Sequence, residues 1–185
     1  MLVLGISGSL RRESFNTKLL RAAGELLEAQ DAEFRVYDEL QSVPPYNADD
    51  DHAGAPAGAR RFREAIAGAD AVLIATPEYN SSLPGQLKNA IDWASRPFPA
   101  NALRNKPVAV IGASTGMFGA VWAQAEIRKV LAATGARVVG SDVPVAHVHD
   151  QFDEEGRLKD ENLVHQLEEV VATLVAEVSP KKVFA

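Results

Sequence analysis

Side chains that could bind an anion follow the apolar residues 1–6 at the start of the sequence. Residues 7–14 form a polar loop, and a helical pattern opens directly after it. A helix N-terminus presents unpaired backbone N–H groups and a partial positive charge, so it favours an anion such as phosphate. Further donors in this region come from Ser9, Arg11, Arg12, Ser14, Asn16 and Thr17. The pattern predicts a phosphate site, and an ordinary strand-to-helix turn capped by Ser14 or Asn16 is the open alternative.

Two later loops combine polar side chains with residues that shape the backbone. The second loop carries, in chain order, Pro77, Glu78, Tyr79, Asn80, Ser82 and Pro84. The third loop, residues 112–119, offers the hydroxyls of Ser114 and Thr115 together with glycines at 116 and 119. Glycine lets a flat ligand lie directly against the backbone. A phosphate site beside a flat, backbone-lined slot suggests a phosphorylated aromatic cofactor, and flavin mononucleotide (FMN) fits that description.

These three loops follow segments that we interpret as the first, third and fourth strands of a sheet. The predicted strands are residues 1–6, 33–37, 71–75, 107–111 and 137–140. Helical periods lie between them, and a closing helix is predicted over residues 161–178. This alternation predicts an α/β three-layer sandwich, with a five-stranded parallel sheet in the order 2-1-3-4-5 and helices on both faces. Because the first, third and fourth strands are then neighbours, their carboxyl-end loops should form one continuous site.

Composition narrows the class of protein and its partners. The chain has 185 residues, of which 46% are hydrophobic, so we expect one domain over residues 1–185 with a substantial core. The net charge of −6 disfavours nucleic acid and anionic membranes as partners. The absence of cysteine removes disulfides and cysteine-ligated metals. No apolar run approaches the ~18 residues of a membrane span, and the first run is too short for a signal peptide, so a cytoplasmic protein is expected.

Several motifs together resemble a known family. They are Gly8-Ser9-Leu10-Arg11, Ser14-Phe15-Asn16, Pro77-Glu78-Tyr79-Asn80 and the segment from Pro84 to Trp93. In this order they resemble the NADPH-dependent FMN reductase family, and within it the bacterial chromate and quinone reductases. The resemblance covers roughly residues 1–180. It implies a flavodoxin-like fold, tightly bound FMN, and a homodimer or homotetramer.

The resemblance also implies a role for each loop in binding FMN. The first loop would hold the phosphate and ribityl chain through Ser9, Arg11, Ser14, Asn16 and Thr17, and Phe15 also belongs to the predicted cofactor site. The second loop would line the flavin ring, largely through its backbone, at Pro77, Glu78, Tyr79 and Asn80. The third loop would close the other edge with Ser114, Thr115 and Gly116.

The implied activity is that of an NAD(P)H oxidoreductase. Hydride from NADPH or NADH would reach flavin N5 and pass to an acceptor stacked in the same slot. Quinones, chromate, azo compounds and free flavin are the candidate acceptors. No side-chain acid or base is required, so the prediction contains no catalytic residue. A flavodoxin-type electron carrier without its own turnover, and a binder of another small molecule, are the alternative functions.

Other chemically suggestive residues have plainer interpretations. The glycines at 112, 116 and 119 open a helix after a strand, but the first two are four apart, so they do not match a dinucleotide fingerprint. His147 and His149 could ligate a metal, and a polar loop is favoured instead, so no metal is predicted. Glu78 and Asp92 could serve as acid and base. The favoured interpretation is that Glu78 is an exposed carboxylate of the loop and that Asp92 is a charge on the helix surface. Residues 39–58 are either a lid or a plain connection.

Two tryptophans indicate where subunits could meet. On their helices, Trp93 and Trp122 each lie roughly a third of a turn away from the residues that face the sheet, given about 3.6 residues per turn. Apolar side faces on two neighbouring helices predict a subunit interface. The alternative is that both tryptophans fill the margin of a monomer core.

Overall fold

A parallel β-sheet forms the centre of the protein in a computed structural model that describes residues 1–52 and 54–178. Its strands are β1 (Leu2–Ser7), β2 (Glu33–Tyr37), β3 (Ala71–Thr76), β4 (Pro107–Ala113), β5 (Arg137–Val139) and β6 (Pro144–Val145). The strand order is β2-β1-β3-β4-β5, and the two-residue strand β6 also pairs with β4. All pairs are parallel. The predicted order of five strands is confirmed, and β6 is an addition that the sequence did not indicate.

Five α-helices cover the two faces of the sheet within the described residues. They are α1 (Phe15–Glu28), α2 (Ala57–Gly68), α3 (Gly85–Ala94), α4 (Val121–Ala133) and α5 (Glu161–Val178). Side chains alternate along a strand, so Leu73 packs with α1 and α5 on one face, whereas Ile74 packs with α2, α3 and α4 on the other. None of these helices combines the length and the apolarity that a membrane crossing requires.

The segment that follows β2 lies along α3. The Asn89 side chain joins them, because its Oδ1 accepts the N–H of Tyr46 at 2.6 Å and its Nδ2 donates to the carbonyl of Pro44 at 2.8 Å. The Gln86 amide donates to the carbonyls of Leu40 and Val43, both at 2.8 Å. Residues 40–46 are therefore held against α3 by hydrogen bonds, which favours the interpretation of this part of the region as a connection.

The predicted interface is wrong for Trp93. Its side chain is 0% exposed, and its Nε1–H donates to the carbonyl of Pro44 at 2.8 Å. The ring of Tyr46 lies 4.9 Å away in an edge arrangement, and the Arg63 guanidinium lies 5.3 Å from the indole. The residue does lie beside the sheet-facing residues of α3, but chain from residues 44–46 covers it. Trp122, in contrast, is 46% exposed.

Candidate active site

The three polar loops meet in one cleft at the carboxyl end of the sheet. β1, β3 and β4 are adjacent, and the loops that follow them enclose an open volume of about 460 Å³. Ten of the predicted site residues line this cleft, namely Ser9, Arg11, Ser14, Phe15, Asn16, Pro77, Glu78, Tyr79, Ser114 and Thr115. Ala113 and Val148 line it as well and were not predicted. Thr17, Asn80 and Gly116 are not among its lining residues.

One end of the cleft is formed by the N-terminus of α1. Ser14 caps this helix, because its Oγ accepts the N–H of Thr17 at 3.3 Å. The backbone N–H groups of Phe15 and Asn16 have no hydrogen-bond partner among the described residues, and neither has the Arg11 guanidinium. Unpaired N–H groups, the helix dipole and a guanidinium together suit a phosphate.

The side chain of Asn16 holds two of the loops together. It is buried, its Nδ2 donates to the carbonyl of Ala113 at 2.9 Å, and its Oδ1 accepts the N–H of Ala113 at 3.0 Å. Both ends of the amide are thus used within the protein, and the backbone N–H remains for a ligand. Thr17 is similarly engaged, since its hydroxyl donates to Ser7 Oγ at 2.9 Å, on the side of the loop that faces away from this cleft.

The second loop ends in a tight turn. Tyr79 and Ser82 exchange backbone hydrogen bonds of 3.0 and 3.1 Å, and the two residues between them have φ values of 52° and 59°. Positive φ at both central positions identifies a type I′ turn, which asparagine tolerates well. Asn80 is exposed at the tip of this turn and outside the cleft, whereas Tyr79 lines the cleft with half of its side chain exposed.

Glu78 connects the second loop to α4. That helix begins after Ala120, which has a left-handed backbone (φ 62°) and offers no side-chain cap. The Glu78 carboxylate supplies the cap, because Oε2 accepts the N–H groups of Trp122 at 3.0 Å and Ala123 at 3.1 Å. A carboxylate that accepts two hydrogen bonds at a helix N-terminus is held there by the helix dipole as well.

This position of Glu78 agrees with a structural role and not with that of an acid or base. The same loop has a second tie to α4, in which the Ser82 hydroxyl donates to Glu126 at 2.5 Å. Asp92, the other carboxylate considered as a catalyst, forms an ion pair with Lys88 at 2.7 Å on the surface of α3. Both carboxylates are thus engaged within the protein, and Asp92 is not among the residues that line the cleft.

The third loop is fixed by a segment that the sequence described only as irregular. The N–H of Val148 donates to the carbonyl of Ser114 and the N–H of His147 to that of Gly116, both at 3.1 Å. Gly119 has φ +58°, and a Cβ there would lie 2.4 Å from the backbone of Pro144, so this glycine serves the backbone and not a ligand. The N–H of Thr115 has no hydrogen-bond partner among the described residues.

The residues present fit FMN. An anion-binding end with Arg11 adjoins a slot between the second and third loops, where the N–H groups of Glu78 and Thr115 are unpaired within the described chain. Among the described residues the lining contains one carboxylate, that of Glu78, and it is turned to α4. Such a cleft offers donors to a phosphate and to the polar edge of a planar ring.

Comparison with known proteins identifies the family. The model of the NADPH-dependent FMN reductase family matches residues 1–150. The chain belongs to this family. An NAD(P)H-dependent FMN reductase of Pseudomonas aeruginosa is 44% identical over 161 residues, which are 86% of this chain and 85% of that protein. A 2-hydroxy-1,4-benzoquinone reductase of a Burkholderia species is 37% identical over 179 residues, which are 96% of both.

A solved structure supports the same assignment. The flavoenzyme NAD(P)H:acceptor oxidoreductase FerB from Paracoccus denitrificans superposes with a TM-score of 0.83 at 37% identity, covering 96% of each chain. The predicted flavodoxin-like fold is confirmed. As a member of the NADPH-dependent FMN reductase family, the protein is an oxidoreductase whose cofactors are FMN and NAD(P)H.

Proposed function

We propose that this FMN reductase family member transfers hydride from NAD(P)H, through FMN in the cleft, to a quinone-type acceptor. The observation that carries the proposal is the meeting of three loops, one with a guanidinium at a helix N-terminus and two with backbone N–H groups, all of them unpaired within the part of the chain that the structure describes. Relatives named as quinone reductases, among them one from Escherichia coli that is 39% identical over 138 residues, support the choice of acceptor.

The chain's own residues bind and orient in this proposal. Bound FMN would supply the acceptance and release of hydride at N5. Arg11 and the N–H groups of Phe15 and Asn16 would hold its phosphate. The N–H groups of Glu78 and Thr115 would donate to the ring, where fixed backbone dipoles stabilise developing negative charge without reorganisation. Asn16 and Glu78 would keep the loops in place through the hydrogen bonds described above.

Spectroscopy tests this proposal directly. The FMN-loaded protein is mixed anaerobically with NADPH or NADH, and the flavin absorbance is followed before and after a quinone is added. We expect rapid bleaching by the nicotinamide and recovery on addition of the quinone. A protein that takes up no FMN, or whose flavin stays oxidised, would refute the proposal, and the second result would identify an electron carrier. Chromate, an azo dye and free FMN in place of the quinone define the range of acceptors.

We also propose that the protein forms a homodimer or homotetramer. Met117, Phe118 and Trp122 are 66%, 52% and 46% exposed, and the rings of Phe118 and Trp122 meet at 4.8 Å. This apolar patch lies where the third loop enters α4, directly beside the cleft. Apolar area of this kind on a protein surface is typical of subunit contacts. The partner subunit would then adjoin the flavin slot.

Light scattering of a Phe118→Ser, Trp122→Ser double variant tests the contact. We expect the variant to run as a monomer where the parent protein runs as an oligomer. Phe98→Ser is the matched control, because Phe98 is 67% exposed but lies in the loop after α3. Equal masses for parent and double variant would exclude the patch as the interface.

The remaining predictions about partners and location rest on the sequence. They are a small-molecule acceptor, no nucleic-acid or membrane partner, and a cytoplasmic location.

A further inference from the structure

A second cleft lies on the opposite side of the first loop from the flavin cleft. It is bounded by that loop, by α1 and by the chain at the end of β2, and its open volume is about 1000 Å³. Ser9 and Arg11 line both clefts, so the two are separated only by the loop itself. We name it the arginine cleft, after the lining residues Arg11, Arg12 and Arg21.

The arginine cleft carries positive charge that is not paired by any residue the structure describes. None of the three guanidinium groups forms an ion pair or hydrogen bond with any residue in 1–52 or 54–178. Of the described residues in the lining, Asp38 alone has a carboxylate, so three positive groups face one negative group there. Elsewhere arginines are commonly paired, as Arg137 is with Glu177 at 2.8 Å. In a chain with a net charge of −6, such a cluster suits an anion that carries about two charges, as a phosphate monoester does.

The remaining lining of the cleft adds features that recognise a nucleoside. Val36 and Tyr37, both partly exposed, supply apolar and aromatic surface against which a base could lie. Asp38, directly after β2, offers a carboxylate that can accept a hydrogen bond from the 3′-hydroxyl that stays free on a 2′-phosphorylated ribose. An apolar wall, a carboxylate and a set of guanidinium groups together describe a site for a nucleoside that carries an additional phosphate.

We propose that the arginine cleft binds the 2′-phosphorylated adenosine of NADPH and thereby makes the enzyme prefer NADPH to NADH. The inference rests on the proposed function, in which the nicotinamide of the coenzyme reacts in the flavin cleft. It assigns a binding site to the opposite, adenosine end of the same coenzyme. The guanidinium groups of Arg12 and Arg21 contact the 2′-phosphate, which NADH lacks. Arg11 lies between the two clefts and serves the flavin phosphate, so it is left out of the test that compares NADPH with NADH.

Steady-state kinetics of the FMN-loaded enzyme test the preference. Arg12→Ala, Arg21→Ala and the double variant are compared with Arg104→Ala, an exposed arginine that is also unpaired within the described chain but lies near the amino end of β4. We expect the double variant to raise KM for NADPH about tenfold, as the loss of a charge-assisted contact does, and to leave KM for NADH, which lacks the 2′-phosphate, within about twofold. Arg104→Ala should change neither value. Equal effects on both coenzymes, or none, would overturn the inference.

Calorimetry supplies a readout that is independent of turnover. Adenosine 2′,5′-bisphosphate, adenosine 5′-monophosphate and inorganic phosphate are titrated into the FMN-loaded protein. We expect the bisphosphate to bind at least about tenfold more tightly than the other two, with that advantage lost in the double variant. If inorganic phosphate binds as tightly as the bisphosphate, the cleft takes free phosphate and the coenzyme assignment is wrong. If the double variant loses affinity for FMN instead, the arginines serve the flavin and the inference fails.

These results are separable from failure of the proposed function. A protein that does not bind FMN, or whose flavin is bleached by neither coenzyme, refutes the proposed function in the spectroscopic test. Titration of the bisphosphate into that same protein still reports on the arginine cleft. A protein that is bleached equally by NADPH and NADH, with no effect of Arg12 and Arg21, refutes only the inference made here.

Discussion

The carboxylate of Glu78 accepts the backbone N–H of Trp122 across 44 residues of sequence, at 3.0 Å. This contact joins the loop that lines the flavin cleft to the first turn of α4. The helix has no cap of its own, because Ala120 precedes it in a left-handed conformation. One side chain therefore stabilises a helix N-terminus and fixes the backbone of a loop that lines the cleft.

Replacing Glu78 by alanine should weaken both functions of this side chain. Loss of a helix cap and of a charge at the helix N-terminus lowers the free energy of unfolding by about 1–2 kcal/mol. Because the loop is released, we also expect the dissociation constant for FMN to rise about tenfold. Chemical denaturation and flavin fluorescence titration measure the two effects.

Glu78→Gln distinguishes the hydrogen bonds from the charge. The glutamine oxygen can still accept both N–H groups, so this variant should lose only about 0.3–1 kcal/mol. Glu64→Ala removes an exposed glutamate from α2 and serves as control. An alanine variant with normal stability and normal FMN affinity would show that the cap does not position the loop.

The double variant Arg11→Ala, Ser14→Ala should bind FMN at least about tenfold more weakly, since it removes a guanidinium and the hydroxyl that organises the N-terminus of α1. The fold should survive, because Arg11 is exposed and the cap contributes about 1 kcal/mol. Equilibrium dialysis of FMN and circular dichroism report the two properties. Unchanged affinity would mean that the phosphate binds elsewhere.

Asn16 is expected to matter for stability more than for direct contact with the cofactor. In Asn16→Ala the buried N–H and carbonyl of Ala113 both lose their partner, which should lower the free energy of unfolding by about 2–4 kcal/mol. Urea denaturation measures the loss, and Gln30→Ala, which removes an exposed amide, should stay within about 0.5 kcal/mol of the parent. A small loss for Asn16→Ala would indicate that water or the loop replaces these bonds.

The sequence was sufficient where a feature depends on local periodicity. The bounds of β2 and α5 agree with the prediction, and the order of the sheet follows from the alternation of strands and helices. The loops could be assigned to one site because parallel strands place their carboxyl ends together. These inferences need only the hydrophobic pattern and the geometry of crossover connections.

Features that depend on distant partners could not be predicted. Asn16 meets a residue 97 positions away and Glu78 one that is 44 positions away, and no local pattern indicates either contact. The predicted position of Trp93 beside the sheet-facing residues of its helix was correct. That position does not indicate which segment of the chain covers this side of the helix. Val148 enters the cleft because β6 pairs with β4, and a strand of two residues has no recognisable period.

The two tryptophans should behave differently in solution. In a Trp122→Phe variant the remaining Trp93 should fluoresce at short wavelength and resist quenching by acrylamide, because its side chain is 0% exposed. In Trp93→Phe, Trp122 should be readily quenched in the monomer and less so in the oligomer. Trp93→Ala should destabilise the protein by about 3–5 kcal/mol, as loss of a large buried aromatic side chain does. Easy quenching of Trp93 would contradict its place in the core.

The turn at the tip of the second loop offers a stabilising change. Ser81 has φ 59°, a left-handed conformation that strains any side chain with a Cβ, and it follows an asparagine in a type I′ turn where Asn-Gly is favoured. Ser81→Gly should raise the free energy of unfolding by about 0.5–1 kcal/mol, since relief of strain exceeds the entropy that glycine adds to the unfolded chain. Ser81→Ala keeps the strain and should give no gain, so equal stabilisation by both variants in thermal denaturation would show that the turn geometry is not the cause.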